Sequence, residues 1–155
     1  MQNLAEAMGE EGVYTTMVAS LTNGSHNEWA DAAVEYQKEH YPNMTLLEDN
    51  PRVESDDNGD TAYNVAKELI KTYPDLKGIM GTSSFDAPGV ARAIQELGLV
   101  DKFFTSGTGM PADNAELLKI RCYQNPLRCG ILQNPVKQWL TLHAKYLQVR
   151  RLVLL

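Results

Sequence analysis

Cysteine is nearly absent, with only Cys122 and Cys129 in 155 residues. Both lie late in the chain, and their spacing is not that of a CxxC metal knuckle. Long hydrophobic runs are missing too. No stretch of 18 apolar residues exists, so no helix long enough to span a bilayer is expected. The opening MQNLAEAMGEEG has no basic stretch followed by an apolar one, so no signal peptide is visible in it. Acid is absent from one end. All 20 Asp and Glu lie in residues 1–119, beside eight Lys and Arg, giving that body a charge near −12. Residues 120–155 hold six Lys and Arg and no acid, a charge of +6. An acidic body argues against nucleic-acid binding, which needs basic surface to displace counterions.

What is present suits a soluble globular domain: 43% hydrophobic and 22% charged residues in a chain long enough to bury a core. Asn3 to Met8 reads as a helix end stopped by Gly9, so the chain opens on the tail of an element. Val13–Ser20 (VYTTMVAS) is β-branched and apolar, as a buried strand is. Asn27–His40 has Trp29, Ala32, Ala33 and Tyr36 at helical spacing, with Tyr41 just beyond. Met44–Glu48 predicts a short strand, Asn50–Gly59 a polar loop, and Asp60–Thr72 a helix with Asp60 as a natural N-cap. Strands then follow at Leu76–Gly81 and Lys102–Ser106, with helices at Asp86–Leu97 and Pro111–Lys119. This β-α-β-α-β-α-β-α order predicts an α/β fold: a parallel sheet covered by helices on both faces, a three-layer lobe.

In such sheets ligands bind at the carboxyl ends of the strands. The loops there, LTNGSHNEW, DNPRVESDDNGD, GTSSFDAPG and SGTGMPAD, are rich in Ser, Thr, Asn, Asp and Gly. They suit a neutral polyol or sugar. An anionic ligand would want Arg or Lys, and only Arg52 is on offer. Enzyme signatures fit poorly. GTGMPA carries Gly107 and Gly109 but has Pro111-Ala112 where a dinucleotide fingerprint needs its third glycine. GTSSFD is not a nucleophile elbow, and His26 has no evident Ser or Cys partner. DDNGD reverses the Gly–Asp order of a calcium loop. No catalytic residue, metal or cofactor is therefore expected. Asp60 and Asp86 suit either helix capping or ligand contact. Trp29 suits core or pocket wall.

The segments MGEEGVYTTMVASLT, HNEWADAAVEYQKEHYPNMTLLED, AKELIKTYPDLKGIMGTSS and GVARAIQELGL resemble the periplasmic sugar-binding proteins of ABC importers. TYPDLKGIMG is closest to the branch that binds rhamnose or the furanosyl signal autoinducer-2, related to ribose-binding proteins. The resemblance covers about residues 1–119. It implies a type I periplasmic binding protein: two α/β lobes joined by a hinge, with the sugar between them and no catalysis. Residues 1–10 would end the first lobe or hinge, and 11–119 would form the second lobe, about half of such a protein being absent. It further implies a monomer that delivers a small-molecule sugar to a membrane permease, from the periplasm or lipid-anchored outside the cell. By matching positions, Ser25-His26 ahead of Asn27-Glu28-Trp29 would touch ligand, as would Thr82 and Ser84. Relatives have Asp-Gln at the Ser25-His26 pair, so a different sugar is implied. Asp86 joins them from its place at a strand end, and Thr108 from topology.

Residues 120–155 depart from the family pattern. Shifting the reading frame near Ile120, and back near Arg128, allows codons that restore family-like text in family order. We read the segment as frameshifted, so it contributes no site residue. The competing reading makes VKQWLTLHAKYLQVRRLVLL a basic amphipathic helix for a membrane surface or partner. Sequencing the coding DNA decides. The frameshift predicts codons that yield the family text one base away, and codons that do not yield it overturn it.

Overall fold

A computed structural model describes residues 1–108. The helix expected at Pro111–Lys119, the Gly109 loop position, both cysteines and the basic tail lie outside the described residues. The element order is α1 (Gln2–Met8), β1 (Gly12–Val18), α2 (Gly24–His40), β2 (Met44–Leu46), β3 (Arg52–Glu54), α3 (Gly59–Thr72), β4 (Leu76–Gly81), α4 (Asp86–Glu96) and β5 (Phe104–Ser106). All pairings are parallel, in the order β2-β1-β4-β5, with β3 also on β1. The α/β expectation therefore holds, as a sheet with a helical layer on each face.

Strand alternation sorts the core into two halves. Met17, Ile79 and Phe103 face α3 and α4, meeting Ala62, Ala66, Leu69, Val90, Ala93 and Ile94. Tyr14 and Met80 face the other way, onto Leu4, Ala5 and Met8 of α1, with Met44 and the partly buried Ala33 and Phe104. A seven-residue helix cannot hold itself together in water. Burying Leu4 and Met8 supplies roughly 2 kcal/mol each, enough to fix it on the sheet. Gly78 permits the approach, because a Cβ there would come within 2.6 Å of Met8 Sδ. Helix α1 is thus part of the core on this face of the sheet.

Two further expectations are corrected. The polar loop 50–59 contains β3, which pairs with Thr16–Val18 beyond the point where β2 pairs with Gly12–Tyr14. The edge is one strand in two pieces. Short polar RVE has no apolar alternation to announce it, and the pairing comes from β1. Thr15 Oγ1 and Thr16 Oγ1 donate to Asn50 O (2.5 Å) and Pro51 O (2.8 Å), drawing the chain in beside β1. In α2, the buried positions are Ala30 and Gln37 rather than the aromatic ones. Gln37 accepts from Tyr14 OH (3.0 Å) and donates to Tyr41 O and Met44 O (both 2.8 Å). Its fully used amide makes burial affordable, while Tyr36 stays 37% exposed.

Candidate ligand-binding site

From β1 the chain crosses to β2 on one side, and from β4 to β5 on the other, while β1 and β4 lie adjacent. Strand order reverses between them, and the loops leaving their carboxyl ends diverge to opposite faces. That is the crevice where open α/β sheets take ligands.

The β1–α2 loop is pinned from several sides. Asn23 caps α2, its Oδ1 accepting from His26 N (3.2 Å) and Ser25 Oγ (3.0 Å). The Asn27 amide donates to the carbonyls of Ser20, Leu21 and Asn23. Arg52 donates to Asn27 Oδ1 (2.8 Å) and pairs with Asp31 (2.5 Å). Among the described residues, the one cation within these loops is thus committed to holding α2. Glu54 Oε1 accepts from Leu21 N (2.6 Å) and Ser20 Oγ (3.1 Å). His26 stacks on Trp29 one turn later, with ring centroids 5.5 Å apart.

The β4–α4 loop is shaped by Asp86. Its carboxylate is fully buried, and Oδ2 accepts from Thr82 N (2.9 Å) and Ser83 N (2.8 Å). Only glycine fits at position 81, where a Cβ would lie 2.3 Å from Asp86 Cβ. Oδ1 has no hydrogen-bond partner among the described residues. Burial pushes this carboxyl above the usual range, against the opposing influence of Ser55, the Ser83 and Thr82 amides, and His26. The β3–α3 loop turns through two non-glycine residues with positive φ, Asp56 (54°) and Asp57 (52°). Asn58, not Asp60, caps α3, accepting from Asp60 N and Thr61 N. Asp60 instead pairs with Arg92. The turn carries Asp57 up to Ser83, whose hydroxyl donates to its carboxylate.

Together these loops enclose an open cavity of about 360 Å³. Of the six residues expected to touch ligand, His26, Thr82, Ser84 and Thr108 line it. Ser25 and Asp86 do not. Ser25 lies exposed on the first turn of α2, and Asp86 lies beneath the loop that it shapes. The reading of the sequence missed Asp57, Phe85 and Asn23 as lining residues, and left Trp29 undecided. Trp29 is pocket wall, 53% exposed, and Phe85 is 46% exposed. A second furrow of about 250 Å³ shares Trp29, Thr82 and Thr108 and runs toward Met80 and Ser106. Among the described residues no Lys or Arg lines either cavity. Gly107 is explained by packing, since a Cβ there would come 2.8 Å from Gly81 O. It needs no phosphate to account for it.

The profile of the periplasmic binding protein domain family matches residues 1–139. No curated protein matches the chain. Among solved structures it is similar to a sugar ABC transporter protein from Actinomyces odontolyticus, at 19% identity and TM-score 0.69, covering 76% of this chain and 38% of that one. A solute-binding protein from Agrobacterium vitis, bound with α-D-tagatopyranose, matches at 20% identity and TM-score 0.67, covering 77% and 39%. One from Clostridium phytofermentas, with bound L-rhamnose, matches at 21% identity and TM-score 0.67, covering 75% and 36%. At these identities the likeness shows the fold, and the chain spans less than two-fifths of the length of each protein.

Asp86 makes a testable demand on stability. Its carboxyl binds a proton more tightly folded than unfolded, so its contribution is complete below the unfolded value and is lost as pH rises through the folded one. Asp86→Asn cannot ionise and should gain stability relative to the parent as pH rises above about 4. Urea midpoints of both proteins between acid and neutral pH check this. A difference that stays constant with pH contradicts it.

Proposed function

The chain belongs to the periplasmic binding protein domain family, and we propose that its rim is one wall of a sugar-binding cleft in the solute-binding component of an ABC importer. The observation that carries this is the cavity at the switch point. Two exposed aromatic rings, Trp29 and Phe85, stand among hydroxyl, amide, imidazole and carboxylate groups, with no Lys or Arg lining the cavity among the described residues. Aromatic faces suit the C–H surfaces of a sugar ring, and the polar groups suit its hydroxyls. Relatives that hold a tagatopyranose and a rhamnose support a monosaccharide ligand.

The finer assignment is to the rhamnose, autoinducer-2 and ribose branch. TYPDLKGIMG supports it, as does the matched protein with L-rhamnose. On this reading residues 1–119 are the second lobe, α1 included. A first lobe closes over the sugar, and a membrane permease recognises the closed monomer at the outer face of the membrane. The role is binding and release, without catalysis.

Half a cleft makes only part of the contacts, so affinity should fall in the millimolar range, roughly 4 kcal/mol. Saturation-transfer NMR on the full chain, with L-rhamnose, D-tagatose and D-ribose in turn, should show transfer to at least one sugar and no chemical conversion. Trp29→Ala, at an exposed position, should weaken it about tenfold while leaving the fold intact. Transfer to none of the sugars, or turnover of a nucleotide, overturns the proposal.

A further inference from the structure

We propose that Ser83 is a positioning residue for the site: its buried hydroxyl ties together two cavity-lining residues from different loops, Asp57 and Phe85, and so fixes the spacing of the walls they carry. The inference rests on the sugar-binding reading above and deepens it. Ser83 does not itself line the cavity, whereas Asp57 and Phe85 both do. It lies behind the wall, 1% exposed. Its Oγ donates to Asp57 Oδ1 and accepts from Phe85 N (3.2 Å). The direction of both bonds is fixed, because an ionised carboxylate has no proton to give and a backbone N–H only donates. One hydroxyl thus joins the β3–α3 loop to the first residue of the α4 cap.

The hydroxyl stands on a rigid post. Asp86 grips the Ser83 backbone on both sides: Ser83 N donates to Asp86 Oδ2 (2.8 Å), and Asp86 N donates to Ser83 O (3.3 Å). Asp86 is itself fully buried and packed against Gly81. The two residues held by the post need it. Asp56 and Asp57 both have positive φ, in a turn closed by Asn58 N donating to Ser55 O (3.0 Å). Left-handed backbone is strained in residues that carry a side chain, and it persists where the surroundings over-determine it. The base of this turn is anchored, since Ser55 N donates to Val18 O (2.8 Å) and Asn58 caps α3. Its exposed tip has one side-chain anchor among the described residues, the Ser83 hydroxyl. Phe85 opens α4 with no side-chain cap and its ring 46% exposed, so the bond from its amide to Ser83 sets where the ring's backbone stands. Walls already held at their spacing leave less ordering for a ligand to impose.

The test uses the full chain, and only one of its arms needs a sugar. Without ligand, Ser83→Ala should move the amide resonances of Asp57 and Phe85 together and leave those near Gly12 and Leu76 in place. Asp57→Gly removes the carboxylate alone, glycine being free to take the positive φ. It should move the Phe85 amide in the parent, through the released hydroxyl, and not in the Ser83→Ala background. A serine that only supports the fold would lower the urea midpoint without this transmission. With L-rhamnose, Ser83→Ala should weaken binding about fivefold to tenfold by NMR titration, from the ordering now left to the ligand. A Phe85 amide that ignores Asp57→Gly, or an affinity of Ser83→Ala within about twofold of the parent, overturns the inference and leaves sugar binding standing. If the parent chain binds no sugar, the sugar-binding reading fails, while the ligand-free arm still decides whether Ser83 couples the two loops. Asp57→Gly keeps Ser83 in place, so its effect on Phe85 decides even if Ser83→Ala does not fold.

Discussion

The parallel pairing of β1 with β4 at the centre of the sheet is the contact on which everything else rests. It carries the register from Val13 with Leu76 to Met17 with Gly81, and it continues past the strands as Thr82 N bonds to Met17 O at 3.0 Å. Because the two strands run the same way, their loops leave from the same end. Because their next neighbours lie on opposite sides, α2 and α4 part to opposite faces. The crevice between them is a consequence of topology, and the residues of the two loops only furnish it. The same parallel arrangement demands apolar cover on both faces, which α1 and α2 provide on one and α3 and α4 on the other.

The furnishing is rigid where it meets the sheet and free where it meets solvent. Asp86, Gly81 and Ser83 form a tight unit in which a buried carboxylate gathers two loop amides. That carboxylate is costly to ionise in place, as the upward push on its proton affinity shows. The structure accepts the cost at the point where the loop must be shaped. Arg52 and Glu54, at the split edge strand, do the same for the β1–α2 loop through charged bonds. Above these supports stand Trp29, Phe85, Ser84 and Asp57, which are exposed and unburdened by packing.

Much of this was legible in the sequence because apolar periodicity and turn residues report burial. Strands β1 and β4, helices α3 and α4, and the location of the site at strand ends all follow from such signals. What escaped follows a physical pattern. β3 is three residues long with a single apolar side chain, Val53, so its pairing is imposed by β1 and by the Thr15 and Thr16 hydroxyls. Gln37 looks like surface, and its burial rests on three hydrogen-bond partners, Tyr14 across the sheet and the Tyr41 and Met44 carbonyls just beyond the helix. Asp60 was the better-looking cap by position before the helix, yet Asn58 reaches both Asp60 N and Thr61 N. Asp57 was hidden in a loop judged against a calcium motif, and only the three-dimensional turn brings it beside Ser83. Asp86 was assigned to the ligand from its place at the strand end, and its orientation, set by Gly81, sends it beneath the loop instead.

Amide chemical-shift mapping on the full chain, during titration with L-rhamnose, tests the central claim most directly. The largest changes should gather at the carboxyl ends of the strands, on Asn23, His26, Asp57, Ser84 and Phe85, with the Trp29 indole N–H among them. Changes concentrated at the opposite end of the sheet, near Gly12, Met44 and Leu76, would contradict the account, as would none at saturating sugar.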